Sequence, residues 1–246
     1  MTARTALVTG GATGIGAAIV TGLTRHGARV AFTHLGHDAT DVEAATANLE
    51  GTSHGHRVDL TAEDASDRLN DIIAGLGGHL DVAVLNAGGM VARSPLADGD
   101  LTHWRRVMEL NLTSCFITAA ACLPAMTTGG RVIVISSLAA RNGGGPGAGA
   151  YASAKAGTEG FVRALAKELG PHGITVNAVA PGLILGTPFH EQFTPAQAQR
   201  AAVGGIPIGR AGTPEDVAAT VLWLADASSS FISGATVDLN GAADFS

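Results

Sequence analysis

The stretch TALVTGGATGIG, residues 5–16, runs from a short apolar strand pattern through four glycines into a helical pattern. Glycines between a strand and a helix let backbone N–H groups and the helix N-terminus approach a pyrophosphate, because no Cβ atom intervenes. Glycines in this arrangement also occur in ordinary tight turns. The stretch therefore predicts a strand, a turn and a helix, and other motifs are needed to decide whether the turn binds a phosphate.

The same pattern of a strand followed by a helix repeats along the chain. Near-continuous apolar runs rich in Val and Ile alternate with longer amphipathic segments. Strands of this kind are typical of a parallel sheet that is covered by helices on both faces. We therefore predict an α/β fold with a doubly wound parallel sheet, and a single domain over residues 1–246. The predicted strands are residues 5–9, 29–33, 81–86, 131–136 and 174–180.

Composition excludes several kinds of protein. The 246 residues are 46% hydrophobic with a formal net charge of −6, so the chain can bury a core and offers no cationic run for nucleic acid. The sequence shows no signal-peptide pattern and no apolar run near about 18 residues, so we expect a cytoplasmic protein without a membrane partner. Cys115 and Cys122 lack metal or redox spacing, and we expect both in the core.

Two helix starts are marked near the C-terminus. Residues 194–197, Thr-Pro-Ala-Gln, offer a hydroxyl cap, a proline in the first helical position and a glutamine three residues after the cap. Residues 213–216, Thr-Pro-Glu-Asp, repeat this order with acids in the first turn. These residue types satisfy the unpaired N–H groups of a helix N-terminus. Each motif therefore predicts a helix.

Further motifs accompany the glycine turn over nearly the whole chain. They are Gly10, Gly14 and Gly16; Asp59-Leu60; Asn86-Ala87-Gly88; Asn111; Ser137; Tyr151 with Lys155; and Pro181-Gly182. Their types and order resemble the classical short-chain dehydrogenase/reductase family, in particular its 3-oxoacyl-[acyl-carrier-protein] reductase-like members. The resemblance implies a Rossmann-type fold of about seven parallel strands and an NAD(P)(H)-dependent oxidoreductase that acts on a small carbonyl or alcohol substrate. It also implies a homotetramer formed through helices over residues 101–126 and 151–169.

Tyr151 and Lys155 are four residues apart in a helical pattern, which places both side chains on one face. A carbonyl that accepts hydride needs a proton from an acid, and the reverse oxidation needs a base. Because tyrosine has a free pKa of about 10, we expect the Lys155 ammonium to lower the pKa of Tyr151. By resemblance, Tyr151 is the acid and base, and Lys155 also holds the nicotinamide ribose. The resemblance further implies that Ser137 binds the substrate oxygen and that Asn111 supports a proton-carrying water chain.

Two serines end the fourth predicted strand, and we prefer Ser137 to Ser136 because it is nearer to Tyr151 in sequence. The resemblance also implies a set of dinucleotide contacts and no metal. A contact from Thr187 is left open, because the threonine of the family does not align with it. The expected cofactor-binding residues are Gly10, Thr13, Gly14, Ile15, Gly16, Thr33, His34, Asp59, Leu60, Asn86, Ala87, Gly88, Tyr151, Lys155, Pro181, Gly182 and Ile184.

The choice between NAD and NADP depends on the end of the second strand. An acid there would hydrogen-bond the ribose hydroxyls of NAD and repel a 2′-phosphate. Residues 30–37 contain no acid, and Thr33, His34 and His37 are candidate phosphate ligands. Thr13, however, stands where NADP-binding members of the family carry a basic residue. We expect NADP, with NAD as the alternative.

Two segments are expected to line the substrate: residues 143–150, which are nearly free of side chains, and a lid over about residues 186–210. The lid carries Phe189, His190 and Phe193, of which His190 is a candidate specificity residue. Ketoacyl thioesters, sugars or sugar acids, and secondary alcohols or ketones are all compatible. A catalytically idle nucleotide-binding regulator is the alternative function, although all four catalytic residues are present. An extended-type epimerase or dehydratase would need a longer substrate domain.

Overall fold

One sheet of seven strands runs through the computed structural model, which describes residues 4–36, 39–193 and 195–245. The strands are β1 (Thr5–Val8), β2 (Arg29–His34), β3 (Thr52–Arg57), β4 (Val82–Leu85), β5 (Arg131–Ile135), β6 (Thr175–Pro181) and β7 (Thr236–Leu239). Every neighbouring pair is parallel, and the spatial order is β3-β2-β1-β4-β5-β6-β7. This architecture confirms the predicted doubly wound α/β fold.

Helices connect the strands and cover both faces of the sheet. They are α1 (Gly14–Arg25), α2 (Thr40–Thr46), α3 (Ala65–Gly75), α4 (Leu101–Met108), α5 (Ser114–Cys122), α6 (Ala139–Asn142), α7 (Gly149–Leu169), α8 (Pro188–Phe193), α9 (Ala196–Gly204) and α10 (Pro214–Ala225). One hydrophobic cluster joins the sheet to α3, α5 and α7, and a second joins its other face to α1 and α10. The lid segment contributes α8 and α9.

The central strands are buried on both faces. All residues of β1, β4, β5 and β6 are buried, which explains their near-continuous apolar sequences. Cys115 and Cys122 lie in the cluster under α5, as expected. Burial raises the pKa of both thiols to about 12, so both are neutral core residues.

Five of the seven strands agree with the predicted ones to within one residue at either end. β3 and β7 are not among the predicted strands. β3 reads TSHGHR and is the edge strand beside β2, so it needs few apolar residues. β7 has only four residues, all of them half-buried. Both strands therefore lack the apolar run by which the others are predicted.

The strand order changes direction between β1 and β4, which are neighbours in the sheet but not in sequence. Chain connections leave this point toward opposite sides, so a crevice opens at the carboxyl ends of the two strands. The Asn86 side-chain amide donates to the carbonyl oxygens of Thr9 at 2.9 Å and Gly10 at 3.0 Å. The glycine turn and the Asn86 motif thus lie side by side at the crevice.

The predicted helix start at Thr213 is confirmed. Its hydroxyl accepts the N–H of Asp216 at 3.3 Å, and the Asp216 carboxylate accepts the N–H of Thr213 at 2.8 Å. The other predicted start involves Thr194, which lies outside the described residues. There α9 begins at Ala196, and Pro195 precedes the helix instead of occupying its first position.

A π-helical turn, Glu109–Thr113, joins α4 to α5. By length and composition, Leu101–Ala125 is apolar enough to cross a membrane, with a mean hydropathy of 1.4. Residues Cys115, Ala119 and Cys122 of this run pack into the core under the sheet. A helix that covers a buried sheet accounts for the same composition.

Candidate active site

The glycine loop connects β1 to α1 at the crevice. Gly10 and Gly14 have φ values of 66° and 52°, a region that residues with side chains rarely adopt. A Cβ atom on Gly16 would lie 2.0 Å from the carbonyl oxygen of Gly10, so the loop closes tightly against the first turn of α1. Thr13 precedes the helix in an extended conformation without capping it, which leaves the N–H groups of Ile15 and its neighbours available. This cradle fits a pyrophosphate.

Polar side chains hold the loop from behind. The Thr33 hydroxyl accepts the N–H of Gly10 at 3.2 Å, and this side chain is buried. The Thr9 hydroxyl accepts the backbone N–H groups of Asn86 and Ala87 at 3.0 and 3.1 Å. Thr33, one of the predicted phosphate ligands, therefore shapes the loop, because its position on β2 faces inward.

Ser137 and Tyr151 are brought together at the carboxyl end of β5. The Ser137 hydroxyl lies close enough to Tyr151 to lower the pKa of its phenol, and the Ser137 oxygen accepts the N–H of Ala139 at 3.2 Å. Ser136 faces elsewhere, since its buried hydroxyl donates to Glu159 Oε1 at 3.0 Å. The structure therefore places Ser137, and not Ser136, beside Tyr151.

Lys155 lies one turn beyond Tyr151 on α7, and its side chain is buried. Its Nζ is 5.7 Å from the centroid of the Tyr151 ring and donates to the carbonyl oxygen of Ile135 at 2.8 Å. A Cβ atom on Gly88 would lie 3.2 Å from this Nζ and 2.6 Å from Asn111 Oδ1. The Gly88 backbone therefore passes between the two polar groups, where no larger residue fits.

Asn111 occupies the middle of the π-helical turn. Its Oδ1 accepts the N–H of Gly89 at 3.0 Å, and its Nδ2 donates to the carbonyl oxygens of Gly89 and Val107, both at 2.8 Å. π-Helical turns are frequent at functional sites, where they redirect a side chain. The amide is thus fixed next to the segment that follows β4. All four predicted catalytic residues converge on one site.

Burial dominates the ionisation of this site. It raises the pKa of Tyr151 to about 12, and the hydrogen bond from Ser137 opposes this rise only in part. Burial also lowers the pKa of Lys155 to about 8. The expectation that Lys155 lowers the pKa of Tyr151 is wrong for this arrangement, because loss of phenolate hydration outweighs the attraction of an ammonium that bonds elsewhere.

A chain of polar side chains supports the site from the sheet. Arg141 in α6 donates to the Asp238 carboxylate on β7, and its Nε lies 3.9 Å from Glu159 Oε2. Glu159 is buried and accepts the Ser136 hydroxyl. The sequence analysis missed this series of polar side chains. Its signal in the sequence is Glu159, an acid one turn beyond Lys155 on a buried helix face.

The end of β2 carries an unpaired polar atom. Nδ1 of His34 is buried without a hydrogen-bond partner. Arg57 lies opposite His34 in the β2–β3 pair, and its Nε donates to the carbonyl oxygen of Leu35 at 3.1 Å. Arg57 was missed in the sequence because β3 was not predicted. His37 lies outside the described residues.

Asp59 and Leu60 follow β3 at the same end of the sheet. The exposed Asp59 carboxylate accepts the N–H and the hydroxyl of Thr61 at 2.9 and 2.7 Å, which lowers the pKa of Asp59. Leu60 is buried in the core. Of these two predicted cofactor residues, Asp59 is accessible through its side chain.

The segment after β6 folds back to the glycine loop. Gly182 follows Pro181 and packs so closely that a Cβ atom would lie 2.9 Å from Asn240 Cβ. Ile184 is buried, and its carbonyl oxygen accepts the Thr187 hydroxyl at 3.1 Å. Thr187 lies against Gly14, with its Cγ2 3.3 Å from where a Cβ atom would stand. This places Thr187, whose contact was left open, beside the glycine loop.

The opposite side of Tyr151 is apolar. Its ring is 5.5 Å from that of Phe189, and Phe189 is 5.3 Å from Phe193. Met90, Val107, Ala148 and Ala154 are the other buried members of the cluster around Tyr151. The two predicted walls of the substrate opening therefore meet at the Tyr151 ring, and the side chain of His190 lies outside the described residues.

Comparisons with known proteins agree with this geometry. A family model described as Enoyl-(Acyl carrier protein) reductase matches residues 10–241. The chain is 36% identical over 245 residues to a cis-4-hydroxycyclohexanecarboxylate dehydrogenase of Sinomonas cyclohexanicum. The alignment covers 97% of this chain and 95% of that protein. The chain is 38% identical over 242 residues to a 3-oxoacyl-[acyl-carrier-protein] reductase of Pseudomonas aeruginosa, covering 97% and 96%. The crystal structure of a dehydrogenase/reductase from Sinorhizobium meliloti 1021 superposes with a TM-score of 0.92 and 32% identity, over 100% of this chain and 96% of that one.

Proposed function

Because the chain belongs to the classical short-chain dehydrogenase/reductase family and is an oxidoreductase acting on CH–OH groups, we propose that it interconverts a secondary alcohol and its ketone with Tyr151 as the acid and base. The observation that carries this proposal is the placement of Ser137 beside Tyr151, with the buried Lys155 ammonium 5.7 Å from the Tyr151 ring. A bound nicotinamide dinucleotide supplies or accepts the hydride.

Reduction needs a donor at the substrate oxygen. A Tyr151 pKa of about 12 keeps the phenol protonated at neutral pH, ready to donate to an oxygen that gains negative charge. Ser137 supplies a second hydrogen bond at the same place, and fixed donors of this kind lower the barrier. Lys155 adds positive charge behind the ring. At neutral pH the raised Tyr151 pKa therefore keeps the side chain in the acid form that reduction uses, whereas oxidation requires the phenolate.

The alternative of an idle regulator finds less support. Such a protein would have no reason to keep Ser137 beside Tyr151, or a glycine at position 88 where Asn111 and Lys155 leave no space for a Cβ atom. These close contacts support a working catalytic site.

The decisive variant is Tyr151→Phe, which removes only the hydroxyl. We expect most turnover to be lost while the dissociation constant for the dinucleotide stays within about threefold, because the ring and its packing remain. Turnover is followed at the nicotinamide absorbance band and binding by fluorescence titration. Unchanged turnover in the purified variant would refute the role of Tyr151.

We propose NADP(H), in preference to NAD(H), as the cofactor. Leu35 and Gly36 follow His34, so the described end of β2 offers no carboxylate to the adenosine ribose. The exposed Arg57 guanidinium, on the residue opposite His34 in the β2–β3 pair, is suited to a 2′-phosphate. The segment 35–36 and Arg57 thus support a phosphate at this position.

Titration with NADPH and NADH tests the cofactor. We expect tighter binding of NADPH, and Arg57→Gln should weaken NADPH by about tenfold while leaving NADH within about twofold. Arg25→Gln, at an exposed arginine of α1, is the matched control. Clearly tighter binding of NADH by the unaltered protein would contradict the preference.

The proposal includes a homotetramer in the cytoplasm. Two separate surfaces expose aromatic side chains: Trp104 and Phe116 on α4 and α5, and Trp223 and Phe231 in and after α10. Two self-complementary surfaces generate a closed tetramer. Light scattering should give four times the chain mass of 24.6 kDa, and Phe116→Glu should convert the tetramer into a dimer.

Two buried thiols on α5 suit a reducing compartment such as the proposed cytoplasm.

A further inference from the structure

Arg93 lies between the two segments that flank the substrate side of the site. Its Nη1 donates to the carbonyl oxygen of Pro146 at 2.9 Å, and its Nη2 donates to that of Phe193 at 3.5 Å. Pro146 belongs to the glycine-rich segment before α7, and Phe193 ends α8. One guanidinium thus spans both walls of the opening.

The Arg93 guanidinium has donors left for a ligand. It carries more N–H groups than the two that these contacts use. Arg93 is exposed, and among the described residues no carboxylate lies within 4.0 Å of it. Gly145 lets the segment before α7 pack closely on the guanidinium, since a Cβ atom there would lie 3.2 Å from Nη1. The positive charge is therefore accessible and not neutralised by the protein.

Apolar side chains connect this charge to the reacting hydroxyl. The Tyr151 ring is 5.5 Å from Phe189, which is 5.3 Å from Phe193, the residue whose carbonyl binds Arg93. A hydrocarbon ring or short chain that lies along these rings buries its apolar surface. Its two ends then meet chemically different groups, the Tyr151 phenol and the Arg93 guanidinium.

We propose that Arg93 determines specificity by binding a carboxylate, so that the substrate is a secondary alcohol or ketone whose apolar body carries a carboxylate at its far end. Guanidinium and carboxylate groups match in planar geometry and form parallel hydrogen bonds. The inference rests on the proposed function, because the reacting oxygen is taken to lie at Tyr151. Arg93 acts on substrate binding and not on the proton transfer.

The test compares an acid with its amide. Cyclohexanecarboxylate and cyclohexanecarboxamide are titrated calorimetrically into the full chain with NADP⁺, and 4-oxocyclohexanecarboxylate and its amide are assayed as substrates. We expect the unaltered protein to bind the acid about tenfold or more tightly than the amide. Arg93→Gln should remove this preference and raise KM for the keto acid about tenfold. The kcat for the keto acid and the affinity for the amide should stay nearly unchanged. Arg93→Lys should retain part of the preference, and Arg25→Gln should retain all of it.

Equal weakening of acid and amide in Arg93→Gln would show that Arg93 only holds the two segments together, and would overturn the inference. A preference of the unaltered protein for the amide, or for an uncharged 3-oxoacyl thioester, would overturn it as well. Binding of the acid is measured without turnover. An Arg93-dependent preference for the acid in a protein that reduces no ketone would therefore support this inference while refuting the proposed function.

Discussion

Replacing Lys155 by methionine should stabilise the protein at neutral pH while abolishing turnover. Lys155 is 4% exposed, and burial lowers its pKa from 10.5 to about 8. At about 1.4 kcal/mol per pKa unit, keeping this charge in the folded state at pH 7 costs about 3 kcal/mol. Methionine has similar length but loses the hydrogen bond to the Ile135 carbonyl, worth about 1 kcal/mol. We expect a net gain of about 2 kcal/mol in the free energy of unfolding.

The gain should depend on pH. Between about pH 8 and 10.5 the unfolded chain binds more protons at Lys155 than the folded one, so the stability of the unaltered protein rises with pH in that window. The cost of the charge is fully present below about pH 8 and falls to about 1 kcal/mol at pH 10. Tyr151 is present in both proteins, so its own titration cancels in the comparison.

Denaturant unfolding at pH 7 and pH 10, at one fixed protein concentration, measures both effects. Lys167→Met is the matched control, because Lys167 is an exposed lysine on the same helix and should change stability little at either pH. If Lys155→Met is less stable than the unaltered protein at pH 7, or if its advantage is the same at both pH values, the argument from burial of the charge is refuted.

Three further outcomes test the site. The kcat/KM for reduction should be constant up to about pH 8 and should fall by about tenfold per pH unit above it, because the Lys155 charge is lost. A decline that begins only near pH 10 would exclude a role for that charge. Ser137→Ala should lower kcat about a hundredfold or more with little change in stability. Ser136→Ala should cost about 1–2 kcal/mol of stability and keep most turnover. Equal losses of kcat in the two variants would contradict the choice of Ser137 over Ser136. Gly88→Ala should lose activity and about 2 kcal/mol or more of stability, because its Cβ atom would overlap the Asn111 amide. Gly75→Ala, in open space at the end of α3, should be neutral or stabilising, and thermal unfolding compares the two variants.

The sequence predicts those parts of the fold that depend on periodic burial. The strands β1, β4, β5 and β6 are mainly apolar because they are buried on both faces, whereas β3 lies at an edge and its His-rich sequence carries no such pattern. Edge position depends on how the chain crosses the sheet, and that is a property of the assembled fold. Arg57 ends β3, so it was not predicted as a cofactor residue for the same reason.

Within the site, the identity of the residues is predictable and their environment is not. Spacing and order indicate Tyr151 and Lys155, but the direction of the Tyr151 pKa shift depends on how much water both groups lose in the folded state. The orientation of Thr33 and of Ser136 likewise depends on which face of the sheet their strands present. Local sequence carries little information about such tertiary contacts.

The π-helical turn makes the orientation of the Asn111 amide depend on the number of residues in this segment. A π-helical turn takes up one extra residue within an α-helix, so deleting one residue from Glu109–Thr113 would restore a regular helix with both halves in place. Cys115 and Ala119 would stay under the sheet and Val107 would stay in the cluster around Tyr151, but the local turn that directs the Asn111 side chain would be lost. A relative that is one residue shorter between positions 108 and 114 should therefore keep the fold yet aim its amide away from Gly89, which makes chain length in this segment a marker for an intact site.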